Sequence, residues 1–213
     1  MGKAFQVKVD ISKLVNLADS LSRIPDGVGD VTLKAVNDTA SETLKESKKR
    51  MLKTINLSES YLDSKMSLVE GKNSNPKAVI TAVGELTPLS RFDAKPVVVP
   101  TKQGSARLKG NPTLGTAPGF KQAGVDVEVT RGSPSSGFVP RGFMMPLKAG
   151  KVKGGNGLGV FARTKSGDLK HYYGPSPYQM FAVEAGQMLG EVEAWLSGNL
   201  ESYVKQFIDK QLP

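Results

Sequence analysis

The residue with the widest chemical repertoire in this sequence is His171, the only histidine among 213 residues. A zinc site or a Ser/His/Asp triad built on histidine would have to use it. Its neighbours Lys170, Tyr172 and Tyr173 form no recognised catalytic motif with it. Cysteine is absent, which excludes a disulfide framework, a thiol nucleophile and a thiolate metal site. We therefore expect His171 to lie at the surface or at an interface.

Two glycine-containing stretches resemble phosphate-binding loops only superficially. Gly155, Gly157 and Gly159 precede a strand pattern, whereas a dinucleotide-binding loop follows a strand and opens a helix. Gly71-Lys72 lacks the upstream glycine and the downstream Ser or Thr of a P-loop. Carboxylates are sparse in the middle of the chain, so no acid and base pair for glycoside hydrolysis stands out. The sequence predicts no enzyme, no cofactor and no metal site.

Positive charge is concentrated in the middle of the chain. The formal net charge is +9 and the sequence pI is about 9.6. Between Arg91 and Lys170 basic residues far outnumber acidic ones, and after Ser176 the balance reverses. Such a pattern indicates a polyanion or an acidic partner surface for the basic segment, although a merely soluble basic surface is an open alternative. The candidate contacts are Arg107, Lys109, Lys121, Lys151 and Lys153.

Aromatic residues are interleaved with these cations at Phe120, Phe138 and Phe143. Cations alone suffice for phosphate contacts, and aromatic rings can add stacking on bases. Hydrophobic anchoring against another subunit is an equally good interpretation of the three rings. We treat them as candidate subunit-interface anchors.

Hydrophobic periodicity predicts several elements in the first half of the chain. Alternation predicts a strand at Phe5–Val9, and the apolar stripe after Asp10 predicts a helix that ends near Ile24. A long helix is predicted from about Asp30 to Ile55. Its inner stripe is expected to contain Val36, Ala40, Leu44, Ser47, Met51 and Ile55.

Alternation and turn residues predict a β-hairpin after this helix. Its strands are expected at Met66–Glu70 and Lys77–Gly84, joined by the turn formers of Lys72–Pro76. Farther along, Pro96 and Pro100 bracket three valines and restrict that strand to an edge or to an extended arm.

The remaining sequence divides into a Gly- and Pro-rich middle and a helical end. Residues 101–157 are expected to form an extended basic arm with a few short strands, ordered only in an assembly because they bury too little apolar surface. A last strand at Leu158–Arg163 and a long helix capped by Ser176-Pro177 follow, with a break expected near Gly198.

The fold class expected from these elements is α+β. A mainly antiparallel sheet would be covered by two long helices, with long Gly/Pro-rich basic arms. Residues 1–100 and 158–213 would form a single domain, and residues 101–157 would be an insertion. No apolar run is long enough for a membrane span and the start has no signal-peptide pattern, so we expect no membrane association and a cytoplasmic site of synthesis.

With these elements in place, the chain resembles the minor tail protein Z family of lambda-like long-tailed phages, also described as tail completion proteins. The resemblance lies in the order and residue types of several short stretches that span nearly the whole chain. These stretches are Leu21–Pro25, Ala35–Ala40, Ser60–Leu62, Thr87–Phe92, Gly137–Arg141, Val160–Arg163 and Tyr173–Phe181.

The resemblance implies a structural protein of the virion that completes the tail and joins it to the head at the neck. It implies a homo-hexameric ring, located in the tail of the particle after assembly in the host cytoplasm. Its expected partners are the tail terminator or tail tube, the head-tail connector proteins and phage DNA in the channel. The family's functional residues are not carried over, because no catalytic set is associated with the resemblance.

Two other classes of protein compete with this interpretation. A basic nucleic-acid-binding protein of ribosomal or nucleoid type would explain the charge and the Gly-rich loops, but it would not require the acidic C-terminal helix. A wall-active enzyme would need a catalytic acid and base, which the sequence does not offer.

Overall fold

The structure is a computed structural model that describes residues 28–72, 76–101, 117–133, 137–147 and 157–211. Within these ranges the helices are α1 (Val28–Thr54), α2 (Glu59–Lys65), α3 (Pro177–Gln187) and α4 (Leu189–Gln211). The strands are β1 (Met66–Val69), β2 (Val79–Ala82), β3 (Thr87–Pro88), β4 (Lys95–Pro100), β5 (Phe120–Asp126), β6 (Val139–Pro140), β7 (Phe143–Pro146), β8 (Leu158–Arg163), β9 (Leu169–His171) and β10 (Tyr173–Gly174). The strand expected at Phe5–Val9 and the helix expected after Asp10 lie outside the described residues.

The strands form four small antiparallel sheets in the described part of the chain. Two of these sheets pair β1 with β2 and β3 with β10. The other two have the strand orders β4-β5-β6 and β7-β8-β9. Helices and antiparallel sheets together confirm the expected α+β class.

Contacts divide the chain into two compact units. Unit one consists of the described parts of Met1–Met51, Asp63–Gly84 and Pro177–Pro213. Unit two consists of the described parts of Leu52–Leu62 and Glu85–Ser176. In sequence, unit two is therefore inserted between segments of unit one.

In unit one, α1 packs against α4 through an apolar cluster. Ala35 and Val36 meet Leu196 and Leu200, and the half-buried Tyr203 lies against them. The predicted helix at Asp30–Ile55 is confirmed closely by α1. Leu196 and Leu200 are four residues apart and therefore lie on the same face of α4.

The buried face of α1 differs from the predicted stripe. Thr39 and Thr43 are buried, whereas Ala40 and Leu44 are only half-buried. Hydrogen bonds explain why these polar residues can lie inside: the Thr43 hydroxyl donates to the Thr39 carbonyl at 2.7 Å, and Asn199 Nδ2 donates to the Thr39 hydroxyl at 3.0 Å. A satisfied hydroxyl costs little to bury.

The predicted hairpin of unit one is confirmed, with shorter strands. β1 and β2 pair from Met66 opposite Ala82 to Val69 opposite Val79. Met66, Ile80 and Ala82 are buried, so the alternation seen in the sequence marks the inner face.

The C-terminal helix begins where its cap was predicted but breaks elsewhere. α3 starts at Pro177, directly after Ser176. The expected break near Gly198 is wrong, because Gly198 lies inside α4 and the interruption falls at the buried Met188. A helical glycine costs only about 1 kcal/mol, and burial of Leu196 and Leu200 on either side of Gly198 offsets that cost.

Unit two has a core of its own, to which the basic middle of the chain contributes. Phe92, Val125, Val127 and Val160 are fully buried in it. The middle supplies β5, β6 and β7, while residues 102–116, 134–136 and 148–156 lie outside the described residues. β4 is an edge strand of its sheet, which confirms the position that its two prolines predicted.

None of the described helices is long and apolar enough to cross a membrane.

Candidate functional site

Three segments that are distant in sequence meet in a buried junction of unit two. β3 pairs with β10, and the Leu89 amide donates to the Tyr172 carbonyl at 3.2 Å. The Tyr61 hydroxyl donates to the Thr87 hydroxyl at 3.3 Å, and the Arg91 guanidinium lies 4.5 Å from the centre of the Tyr61 ring. The junction joins Ser60–Leu62, Thr87–Phe92 and the start of Tyr173–Phe181.

Close packing of a ring on a glycine holds this junction together. A Cβ atom on Gly174 would lie 2.6 Å from Cε2 of the fully buried Phe92. Ser90 adds a hydrogen bond of 2.6 Å from its hydroxyl to the Leu158 carbonyl. Tyr61, Thr87, Ser90 and Phe92 are buried, so the junction is part of the core of unit two.

Among the five candidate cationic contacts, the structure describes Lys121. Its side chain is exposed on β5, next to Phe120 and opposite Val99 of β4. The other four lie outside the described residues. They are Arg107, Lys109, Lys151 and Lys153.

Phe120 and Phe138 both expose much of their rings on the sheet formed by β4, β5 and β6. Phe120 is 40% exposed and Phe138 is 50% exposed. Phe138 lies over Gly124, where an added Cβ would come within 2.6 Å of its Cε2 atom. One face of the Phe138 ring is thus packed on the backbone of β5, and half of the side chain stays accessible.

A β-bulge shapes this sheet. The register of β4 and β5 shifts between Val97 and Val98, which leaves Ala123 as the extra residue of β5. The Ala123 carbonyl accepts a hydrogen bond of 3.0 Å from the Arg141 amide, and Arg141 has a positive φ of 56°. A left-handed conformation is rare for arginine, and here the fixed hydrogen bond supports it.

Phe143, the third predicted anchor, belongs to a row of rings across three strands. In the register of β7, β8 and β9, Phe143 lies opposite Phe161 and Phe161 lies opposite His171. Ring centres are 6.4 Å apart for Phe143 and Phe161 and 4.4 Å apart for Phe161 and His171. Tyr173 extends the row, 4.2 Å from His171. We call Phe143, Phe161, His171 and Tyr173 the aromatic row.

The sheet β7-β8-β9 has two different faces because side chains alternate along a strand. Met144, Val160 and Ala162 are buried in the core of unit two. The residues between them, including Phe143 and Phe161, belong to the opposite face and are only half-buried. Tyr173 at the end of the aromatic row is 46% exposed.

His171 is packed tightly within the row. Its Nε2 atom is buried and has no hydrogen-bond partner in the described part of the chain. Burial lowers the pKa of the imidazole below its usual value, which keeps the ring neutral and suited to stacking. A Cβ on Gly159 would lie 2.8 Å from this Nε2 and 2.6 Å from Phe161 Cε2, so glycine is required beneath the rings.

The sequence indicated only part of this site. It marked Phe143 as an anchor and left His171 as an isolated surface or interface residue. Phe161 and Tyr173 were missed as its stacking partners. Tyr173 is two residues after His171 in sequence, and Phe161 lies opposite His171 in the register of β8 and β9. Pairing Leu158–Arg163 with Leu169–His171 across the turn at Lys165–Asp168 would have brought them together.

The described histidine and carboxylate side chains do not cluster in groups of three or more. In residues 28–72, 76–101, 117–133, 137–147 and 157–211, no three His, Asp or Glu side chains come together as a possible metal site.

Comparison of the chain with protein-family models, with curated proteins and with solved structures found no match.

Proposed function

We propose that this chain is a structural virion protein that completes a phage tail and joins it to the head at the neck. The observation that carries the proposal is the exposure of large apolar side chains on the small sheets of unit two. Phe120, Phe138, Leu169 and Tyr173 each leave 40% or more of their side chains accessible. Several large apolar side chains exposed on one unit are typical of a subunit that binds neighbours.

The finer expectations belong to the same proposal. Two long helices would cover the sheet of each subunit, and basic arms within residues 101–157 would reach adjacent proteins. Six copies would form a ring between the tail terminator or tail tube and the head-tail connector. The cations of the arms would face DNA in the channel or acidic surfaces of the ring.

Electron microscopy of particles made without the chain tests this function. Deleting its gene from the phage that encodes it should leave DNA-filled heads and separate tails, because the joining surface is missing. Supplying the chain from a plasmid should restore joined particles. Immunogold labelling of intact virions should mark the neck, and infectious particles formed without the chain would refute the proposal.

The competing function is that of a basic nucleic-acid-binding protein of ribosomal or nucleoid type. The net charge of +9 and the exposed Lys121 beside Phe120 favour it. In that case the chain should be absent from purified virions and should sediment with host nucleic acid at low salt. Its affinity for nucleic acid should fall steeply as ionic strength rises.

A further inference from the structure

The aromatic row lies on the face of its sheet that the core of unit two does not use. The buried face, with Met144, Val160 and Ala162, already supplies the apolar packing of β7 and β8. Phe161 and His171 on the opposite face are half-buried. Rings that are not needed for the core are available for binding.

The row also has the planar geometry that stacking requires. The Phe161 and His171 rings are inclined by 19°, with centres 4.4 Å apart. The Tyr173 ring continues the row at an inclination of 48° to His171, and nearly half of its side chain is exposed, so a further planar ring can add on its exposed face. Base stacking on protein aromatics uses the same offset contact.

Cations flank the row on the hairpin of β8 and β9. Arg163 pairs with Leu169, and Phe161 pairs with His171. The two pairs are two residues apart along each strand, a distance of about 7 Å. The Arg163 guanidinium donates one hydrogen bond, of 3.1 Å, to the Gly167 carbonyl. Its other N–H groups can donate to phosphate.

The local charge is complementary to a polyanion. From Gly157 to His171 the hairpin carries Arg163, Lys165 and Lys170 against the single acid Asp168. The Asp168 carboxylate accepts a hydrogen bond of 2.6 Å from the Ser166 hydroxyl, and all three cations are exposed. Arg163 shares the face of the aromatic row, whereas Lys170 pairs with Ala162 on the other face and its Nζ lies 5.1 Å from the centre of the Tyr172 ring. Aromatic stacking next to exposed cations is how proteins hold single strands without reading a sequence.

We propose that the aromatic row and Arg163 form a binding surface for single-stranded nucleic acid. The unpaired bases stack on the free end of the row at Tyr173, and phosphates farther along the same strand lie against Arg163 at the other end of the row. Duplex DNA offers phosphates but no open base faces, so it binds only through charge. This surface is a property of the chain beyond tail joining.

Fluorescence anisotropy with the purified full-length chain tests the surface. The probe is a fluorescein-labelled oligothymidylate, and the comparison is a duplex of equal length, both at 50 and 200 mM salt. Tyr173→Leu should weaken binding of the single strand about 5- to 150-fold and leave duplex binding unchanged. Arg163→Gln should lower the slope of log K against log salt by about 0.7.

Val183→Ala is the control, because it trims an exposed apolar side chain on helix α3, which belongs to unit one and has no part in the proposed surface. Its affinity for the single strand should equal that of the parent chain. Thermal unfolding of each variant shows whether the fold is retained. Tyr173 is chosen because substitutions of exposed side chains cost little stability.

Three results would overturn the proposal. The first is equal affinity for single strand and duplex, and the second is a Tyr173→Leu variant that binds the single strand as the parent does. The third is no binding of the oligonucleotide at 50 mM salt, which would leave the row as a surface for a protein partner. Because the assay uses the isolated chain, its outcome is independent of whether particles join in the deletion experiment.

Discussion

At the level of single residues, three glycines of unit two allow an aromatic ring to pack directly on the backbone. Gly174 lies under Phe92, Gly124 under Phe138 and Gly159 under the aromatic row. In each case a methyl group would come within 2.6 Å of a ring carbon. The surroundings differ, because Phe92 is fully buried and Phe138 is half-exposed.

The first prediction concerns the buried pair of Gly174 and Phe92. Gly174→Ala should destabilise the protein by about 1–3 kcal/mol, because the added methyl group would press on a fully buried ring. Denaturant unfolding measures the effect. Gly186→Ala is the control: Gly186 is in helix α3 with nothing within 4 Å, so alanine should stabilise by about 0.5–1 kcal/mol. Equal stability of the Gly174 variant and the parent would contradict the packing argument.

The second prediction concerns His171 and pH. Burial lowers the pKa of this imidazole in the folded chain below 6.5, its usual value. The unfolded chain therefore takes up the proton first, and folding stability present above pH 6.5 is lost as the pH falls through the folded pKa. His171→Phe keeps a ring against Phe161 and Tyr173 but removes this loss.

The measurement is the free energy of unfolding between pH 5 and 7.5 for both chains. The difference between them should be constant above pH 7 and should grow in favour of the phenylalanine variant below pH 6.5. Parallel curves over the whole range would show that the imidazole is not desolvated in the folded state. Carboxylates titrate mainly below this window and affect both chains alike.

At the level of secondary-structure elements, both apolar and polar contacts join helices α1 and α4 of unit one. Ala35 is fully buried in the cluster with Leu196 and Leu200. The Tyr203 hydroxyl donates a short hydrogen bond to the Asp38 carboxylate, which raises the pKa of the phenol. Arg50 donates to both carboxylate oxygens of Glu191, at 2.9 and 2.7 Å.

The third prediction compares these two kinds of contact. Ala35→Leu adds three carbon atoms at a fully buried position and should destabilise the protein by about 1–3 kcal/mol. Glu191→Gln removes a partly exposed ion pair and should cost at most about 1 kcal/mol. Thermal unfolding of the two variants measures both. A larger loss for the Glu191 variant would mean that the ion pair, and not the close approach of the helices, holds α1 to α4.

Charge is distributed unevenly at the scale of the whole molecule. From Glu85 to Ser176 the sequence has 14 basic and 5 acidic residues, whereas from Pro177 to Pro213 it has 2 basic and 5 acidic residues. Exposed charges contribute little to folding, so folding stability does not account for an imbalance of this size.

The fourth prediction tests the role of the basic segment. Replacing Arg107, Lys109, Lys121, Lys151 and Lys153 together with Gln should weaken head joining or DNA retention and leave the unfolding temperature unchanged. Salt is the discriminating control, since a polyanion contact weakens steeply with ionic strength whereas anchoring by Phe120, Phe138 and Phe143 is nearly indifferent to it. Normal infectivity with all five changes would mean that these charges serve solubility only.

Local patterns were enough to predict the elements whose formation depends on neighbours in sequence. The apolar periodicity predicted α1, the turn formers predicted the hairpin of β1 and β2, and the prolines predicted that β4 is an edge strand. Ser176-Pro177 marked the start of α3. Each of these signals acts over a few residues through backbone geometry or side-chain alternation, and so it can be read without knowing what the element packs against.

Tertiary packing decided what local patterns could not. Thr39 and Thr43 are inside because Asn199 and the backbone of α1 satisfy them, and helix α4 continues through Gly198 because Leu196 and Leu200 are buried. The aromatic row exists because the registers of three strands bring Phe143, Phe161 and His171 side by side. Register depends on pairing between distant segments, and a shift of one residue would send every ring to the other face of the sheet.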